Sequence, residues 1–114
     1  MPFLTVQTNI ILDPNARAEL LAALSRTVAE NLGKSEQYVM VSVEDAKSML
    51  FAGEDSPLAY MELKSIELPG DRTKALSHSL CTQLNESIGI PGDRIYIEFA
   101  DAPRHLWGWN KSTF

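Results

Sequence analysis

The feature that most constrains the fold is an internal repeat with an offset of 56 residues. An apolar stripe with helical spacing, closed by a glycine, occurs once in each half of the chain, and a β-branched segment follows it both times. The matched positions are Leu20, Leu24, Val28, Leu32, Gly33, Val39, Val41, Val43 and Asp45 with Leu76, Leu80, Leu84, Ile88, Gly89, Ile95, Ile97, Phe99 and Asp101. The two halves, residues 2–45 and 59–101, therefore predict a duplicated βαβ unit.

Both helices have recognisable signals at their ends. In chain order these signals are Asp13-Pro14, Gly33, Pro69-Gly70, Asp71 and Gly89. Aspartate is a preferred N-cap, proline is favoured at the first helical position, and glycine commonly terminates a helix. We therefore expect helices over residues 14–32 and 72–88, capped by Asp13 and Asp71.

Alternating β-branched and aromatic residues predict four strands, over residues 3–8, 38–44, 59–67 and 94–100. Residues 45–57 are expected to connect the halves. The predicted fold class is α/β (α+β), a single domain over residues 1–114 with a four-stranded mixed sheet and both helices on one face. Strand positions of both parities are partly apolar, so the second face also needs cover. Either other copies of the chain or the connector and C-terminal tail would supply it.

Composition and charge argue against several classes of protein. A chain of 114 residues, 45% hydrophobic, fits one compact soluble domain. The net charge of -5 and the absence of any basic run argue against nucleic acid or an anionic membrane as a partner. With no signal peptide or transmembrane-length window, a cytoplasmic location is expected. The single cysteine, Cys81, cannot form an internal disulfide, and the isolated His78 and His105 are expected on the surface with no metal-ligand spacing.

Pro2 follows the initiator methionine and precedes the first strand. Initiator methionine is usually trimmed before a small side chain, which would leave Pro2 with a free secondary amine. An α-amino group has a pKa near ~8, and an apolar pocket favours its neutral form, so Pro2 can serve as a general base. Alternatively, Pro2 merely begins an edge strand. If Met1 is retained, the Pro2 nitrogen is a non-basic amide.

A set of motifs across the whole chain resembles the macrophage migration inhibitory factor family. The motifs are Pro2, Lys34, Ser65-Ile66, Asp93-Arg94-Ile95-Tyr96-Ile97 and Gly108-Trp109-Asn110-Lys111-Ser112-Thr113-Phe114. The resemblance implies the tautomerase superfamily fold, assembled as a homotrimer. It also implies a cofactor-independent keto–enol tautomerase, with no metal, acting on small planar α-keto acids such as phenylpyruvate or on dopachrome-like compounds.

The resemblance also implies roles for residues at matching positions. Pro2 would shuttle the proton, Lys34 would hold the substrate carboxylate, and the backbone of Ile66 would contact the substrate. Read without the family, Lys34 is a solvated lysine at a helix C-terminus. Ile66 is equally a strand-core position.

Three aromatic residues match positions in or beside the family's pocket. By resemblance, Tyr96 reaches the pocket from a neighbouring subunit, and Trp109 and Phe114 line or flank it. Alternatively, Tyr96 is an amphipathic interface residue, and Trp109 and Phe114 are C-terminal packing at the subunit contact.

The sequence departs from the best-known members at several positions. Glu98 stands where those members carry a pocket asparagine, and its carboxylate could repel an acidic substrate or neutralise Lys34. Trp107 replaces a smaller residue at the pocket rim. Leu58 and Met61 stand in place of the family's Cys-x-x-Cys, which excludes a dithiol oxidoreductase, and Cys81 is expected to be a partly buried structural thiol.

A second function stays open beside the enzyme. The resemblance also implies cytokine-like signalling for some members, with a receptor protein as partner and with weak or vestigial tautomerase activity. It also allows secretion without a signal peptide. Because function depends on the site more than on the fold, the resemblance does not choose between the two.

Overall fold

The computed structural model describes residues 1–114, with a four-stranded sheet that carries two helices on one face. The elements are β1 (Phe3–Thr8), α1 (Pro14–Leu32), β2 (Met40–Glu44), β3 (Ala59–Ile66), α2 (Thr73–Ile88), β4 (Ile95–Ala102), β5 (Gly108–Trp109) and β6 (Ser112–Thr113). The strand order is β2-β1-β3-β4, with β1 and β3 antiparallel at the centre and a parallel strand outside each. The predicted mixed α+β fold with duplicated βαβ units is confirmed.

The duplication extends to individual hydrogen bonds. The Asp45 carboxylate accepts from the backbone N–H of Leu12 at 2.8 Å, and the Asp101 carboxylate accepts from that of Leu68 at 3.0 Å. The two donors, Leu12 and Leu68, occupy positions related by the repeat, and so do the two acceptors, Asp45 and Asp101. The Leu12 bond and the nearby Arg17 guanidinium, 3.3 Å away, hold the pKa of the Asp45 carboxyl below its usual range. The repeated aspartates thus tie the end of each unit's second strand to the loop before its helix.

Three of the predicted helix ends are confirmed. The Asp13 carboxylate accepts from the Ala16 N–H at 2.8 Å, as an N-cap does. Gly33 and Gly89 adopt left-handed backbone conformations, with φ of 62° and 75°, that end α1 and α2. Neither helix is long and apolar enough to serve as a membrane span.

Three predicted starts are wrong by one or two residues. Asp71 does not cap α2, because it lies inside a 3₁₀ turn (Gly70–Arg72) that leads into the helix, and no side chain caps Thr73. The second strand begins at Met40 because Glu36–Tyr38 form another 3₁₀ turn. The fourth strand begins at Ile95, because Gly92–Arg94 form a third 3₁₀ turn. In all three places a short turn precedes the helix or strand and contains residues that the sequence pattern had assigned to that helix or strand.

The core lies between the helices and the sheet. The leucine stripe of α1 and that of α2 meet side chains from all four strands of the sheet in a single cluster. Its fully buried members include Leu4, Val6, Leu20, Leu24, Val28, Met61, Leu63, Leu76, Leu80 and Leu84. The repeated apolar positions therefore form one shared core.

Leu24→Ala is expected to lower the free energy of unfolding by about 2–5 kcal/mol, because truncation of a fully buried leucine leaves a cavity. Urea denaturation measures the change. Ile11→Ala is the control, since Ile11 is 83% exposed and its truncation should cost less than about 0.5 kcal/mol. Equal stability of the two variants would show that α1 does not pack as described.

The second face of the sheet is polar along its middle, so the expectation that it needs apolar cover is wrong there. The residues on this face include Thr5, Gln7, Ser42, Glu62 and Glu98. The connector and the tail cover only its two ends. Phe51 packs on Tyr96 at one end, with 4.8 Å between ring centroids, and Trp107 shares a cavity with Phe3 and Met40 at the other.

Arg94 organises the connector. Its guanidinium donates to four backbone carbonyls, those of Phe51, Glu54, Ser56 and Pro57. The same group lies 5.3 Å from the centroid of the Phe51 ring. Because one planar cation holds several carbonyls and the ring, Phe51 has a defined position against Tyr96.

Candidate active site

The N-terminus of the chain lies between two cavities that share Met1 and Tyr38. The first, the Lys34 cavity, has a volume of about 240 Å³ and is lined by Met1, Lys34, Ser35, Tyr38, Ile66, Glu67 and Arg104. The second, the aromatic cavity, has a volume of about 290 Å³ and is lined by Met1, Pro2, Phe3, Gln37, Tyr38, Val39, Met40, Trp107, Gly108, Trp109 and Phe114. A larger groove of about 620 Å³, beside the connector, contains none of the predicted site residues.

Pro2 is buried at the start of β1. Its carbonyl accepts from the backbone N–H of Met40 at 3.0 Å, which joins it to the start of β2. In the chain with Met1, the Pro2 nitrogen is an amide and the free α-amino group belongs to Met1. The geometry therefore fixes where the Pro2 nitrogen lies, while removal of Met1 decides whether it is basic.

The α-amino group of Met1 has a perturbed acidity. Burial and then the neighbouring Lys34 ammonium lower its pKa to about 6, and Arg104 acts in the same direction, while Glu67 opposes them. An amine with this pKa is mostly neutral at pH 7. The surroundings of the Met1 amine, above all burial and Lys34, thus favour its neutral form.

Lys34 follows the glycine that ends α1. Its backbone N–H donates to the Ala29 carbonyl at 3.0 Å, and its ammonium donates to Ser65 Oγ at 2.9 Å and to the Ile66 carbonyl. No carboxylate lies within ion-pair distance of this half-buried ammonium. An uncompensated cation at a cavity wall can bind an anion, and the structure places Lys34 and Ile66 together at this wall.

The three C-terminal aromatic residues form one wall of the aromatic cavity. Trp109 stacks on Phe114 at 5.4 Å between ring centroids and meets Tyr38 edge-on at 5.9 Å. The Phe114 N–H donates to the Trp107 carbonyl at 3.2 Å. The hairpin of β5 and β6, absent from the predicted strands, brings them beside Pro2.

Tyr96 and Glu98 lie elsewhere in the chain, on the second face of the sheet, and line neither cavity. Glu98 accepts from the Tyr60 hydroxyl at 2.8 Å, and Glu62 lies 3.2 Å from the same hydroxyl. The Glu98 bond, together with burial and Glu62, raises the pKa of Tyr60. Within one chain, Glu98 therefore does not neutralise Lys34.

Sequence reasoning missed several residues of the Lys34 cavity. Glu67 and Arg104 form an ion pair of 3.0 Å at its wall, and Arg104 Nε donates to the Phe114 carbonyl at 3.2 Å. Tyr38 also lines it. No local signal in the sequence marks Glu67, Arg104 or Tyr38. Ser65, already named in the Ser65-Ile66 motif, does not line the cavity, but it is buried and accepts from the Lys34 ammonium.

The remaining chemistry-bearing residues lie outside both cavities. Cys81 is half-buried on α2, and burial raises the pKa of its thiol, as expected of a structural cysteine. His78 and His105 are exposed. No three His, Cys, Asp or Glu side chains converge where they could hold a metal ion.

Comparisons with known proteins agree with this geometry. The family model described as macrophage migration inhibitory factor matches residues 1–114. The chain is 35% identical to a macrophage migration inhibitory factor homolog of Trichuris trichiura, over 100% of both chains. It resembles the crystal structure of a homologue from Prochlorococcus marinus, at 44% identity and a TM-score of 0.91 over 98% of both chains. It also resembles the factor from Trichinella spiralis, at 32% identity and a TM-score of 0.90 over 98% of this chain and 99% of that one. The chain therefore belongs to the macrophage migration inhibitory factor family.

Proposed function

We propose that the chain, once Met1 is removed, is a cofactor-independent keto–enol tautomerase that uses the Pro2 amine as general base. Its substrates would be small planar α-keto acids of the phenylpyruvate type or dopachrome-like compounds. Family membership supports this reaction class, since proteins of this family belong to the tautomerase superfamily. The observation that carries the proposal is the position of the N-terminus, beside an ammonium without a carboxylate partner and at an apolar cavity.

The two cavities suit the two ends of such a substrate. The substrate carboxylate would bind the Lys34 ammonium, since a cation without a carboxylate partner gains most from an added anion. The planar ring would lie against the aromatic wall of Trp107, Trp109 and Phe114. The carbon next to the keto group would then lie near the Pro2 nitrogen.

The proposed reaction is a proton transfer that balances within the site. In the enol-forming direction, the neutral Pro2 amine takes a proton from the carbon beside the carbonyl. The electron pair of the C–H bond becomes the C=C bond of the enol, and the protonated amine returns its proton to the carbonyl oxygen. Such a base typically contributes about 10²- to 10⁴-fold in rate.

Absorbance of the enol of phenylpyruvate provides the direct assay, with protein whose intact mass shows that Met1 is gone. We expect enzyme-dependent equilibration of the keto and enol forms. If this trimmed protein left both phenylpyruvate and a dopachrome ester unchanged beyond the buffer rate, the tautomerase proposal would be wrong.

We also propose that the chain is a homotrimer. Large apolar residues are exposed at both ends of the second sheet face, with Met40 64% and Tyr96 67% exposed. A neighbouring subunit would cover them, and Tyr96 and Glu98 would reach a substrate only in such an assembly. Analytical ultracentrifugation is expected to give three times the chain mass; a monomer at micromolar concentration would remove this assembly.

A further inference from the structure

We propose that Glu67 determines the substrate class of the Lys34 cavity by occupying Arg104, which reserves the cavity for acids with a single carboxylate. This inference rests on the function proposed above, because it concerns the acid that the same site would bind. Its basis is the ion pair between Glu67 and Arg104 at the cavity wall.

The pair has a defined geometry. Arg104 Nη1 lies 3.0 Å from Glu67 Oε1, and Arg104 Nε donates to the Phe114 carbonyl at 3.2 Å. Two of the guanidinium nitrogens thus already donate to groups of the chain, Glu67 and the Phe114 carbonyl. A second carboxylate entering the cavity would have to displace Glu67 and approach it as a like charge.

The balance of charge in the cavity matches a monoanion. Its wall carries two cations, Lys34 and Arg104, and one carboxylate, Glu67. Glu67 pairs with Arg104, whereas Lys34 has only the neutral partners Ser65 and Ile66. One positive charge is left without a counterion, and it is the one on Lys34.

The backbone at Glu67 gives an independent reason to assign the carboxylate a role. Glu67 directly follows β3 with a φ of 53°, a left-handed conformation that glycine adopts without strain and a side chain disfavours. Residues with strained backbone cluster at active sites and ligand clamps. Here the side chain supplies the counterion for Arg104.

Glu67→Gln tests the proposal, because glutamine keeps the side-chain size and removes the charge. The probes are phenylpyruvate and phenyloxaloacetate, which share a ring and differ by one carboxylate on the carbon beside the keto group, the end of the substrate that would enter the Lys34 cavity. The pair is exposed, with 58% and 68% of the Arg104 and Glu67 side chains accessible, so the effect should be moderate. We expect the ratio of kcat/KM for the diacid to that for the monoacid to rise about fivefold.

Two further variants identify the cause. Adding Arg104→Gln to Glu67→Gln should return the ratio towards its original value, since the released guanidinium is gone. Glu19→Gln makes the same change of charge at an exposed position on α1 outside the cavity, and its ratio should not change. An unchanged ratio in Glu67→Gln, or a preference for the diacid in the unmodified protein, would overturn the proposal.

A binding measurement separates this proposal from the tautomerase proposal. Calorimetry with cinnamate and phenylmaleate, whose second carboxylate lies next to the first, reports the same charge selection without turnover, again in Met1-trimmed protein. If Glu67→Gln shifts the affinity ratio while phenylpyruvate is not converted, the selection stands and the tautomerase proposal fails. If phenylpyruvate is converted but the affinity ratio does not shift in Glu67→Gln, the tautomerase proposal stands and the role of Glu67 is wrong. If neither acid binds, the role of Glu67 is also wrong.

Discussion

Removal of Met1 is expected to raise the rate of phenylpyruvate tautomerisation by about 10²- to 10⁴-fold, because it converts the Pro2 nitrogen from an amide into a base. Pro2 is buried, with its carbonyl held by the N–H of Met40 at 3.0 Å, so trimming would create the amine at a defined position. In the untrimmed chain the free amine belongs to Met1, one residue away from that position.

The comparison needs only one preparation. Protein that retains Met1 is divided, one half is treated with methionine aminopeptidase, and intact mass confirms the loss of a single methionine. A Pro2→Gly variant, trimmed in the same way, tests the ring, because glycine supplies a primary amine without a fixed direction. Equal rates for the trimmed and untrimmed halves would exclude the Pro2 amine as the base, and full activity of Pro2→Gly would show that the proline ring is not required.

Lys34→Met is expected to raise KM for phenylpyruvate about 10- to 100-fold, because it removes a charge-assisted hydrogen bond to the substrate carboxylate. It should also change the pH dependence. In the untrimmed chain the Lys34 ammonium is the second largest cause, after burial, of the lowering of the pKa of the Met1 amine to about 6. We expect the same cation to lower the pKa of the Pro2 amine after trimming. The proposed reaction needs the neutral amine, so activity is lost as the pH falls through the pKa of Pro2. Without the neighbouring Lys34 cation the pKa of the amine rises. The acid limb of the pH profile, where kcat/KM falls with falling pH, should therefore move to higher pH.

The direction of the pH shift distinguishes this role from a structural one. Lys34→Arg keeps the charge and should leave the acid limb close to its original place, whereas a general loss of folding would lower the rate at every pH. Lys74→Met, an exposed position on α2, is the matched control and should change neither KM nor the limb. An acid limb that stays in place in Lys34→Met would show that Lys34 does not set the acidity of the base.

The parts of the fold that sequence predicted well are governed by local spacing. An aliphatic residue every four positions, followed by Gly33 or Gly89, specifies a helix with one buried face, because these side chains align at the helical period. The repeat at an offset of 56 residues then predicted that each helix connects two strands in the same way, as in a duplicated βαβ unit. Each of these signals depends on neighbours within a few residues, so it can be read without a structure.

The errors occur where a tertiary contact or a short turn competes with that pattern. Asp71 has the residue type of an N-cap, but a 3₁₀ turn places it ahead of the helix. Strand positions of both parities are partly apolar in the sequence, yet the second face of the sheet is polar in the middle, with Glu62 and Glu98 beside Tyr60. Which strand residues face each other depends on register, and register is set by the packed sheet.

The sequence by itself determined the repeated βαβ architecture and the family, because periodic apolar residues and the motifs at both ends of the chain can be recognised locally. Only the tertiary structure decided which charges meet. Lys34 reaches Ile66 across 32 positions of the chain, and Arg104 reaches Glu67 across 37. No local spacing encodes such pairs, since they form only when the end of α1, the end of β3 and the C-terminal segment converge on one cavity. Electrostatic interactions depend on distance in space, and folding alone sets that distance.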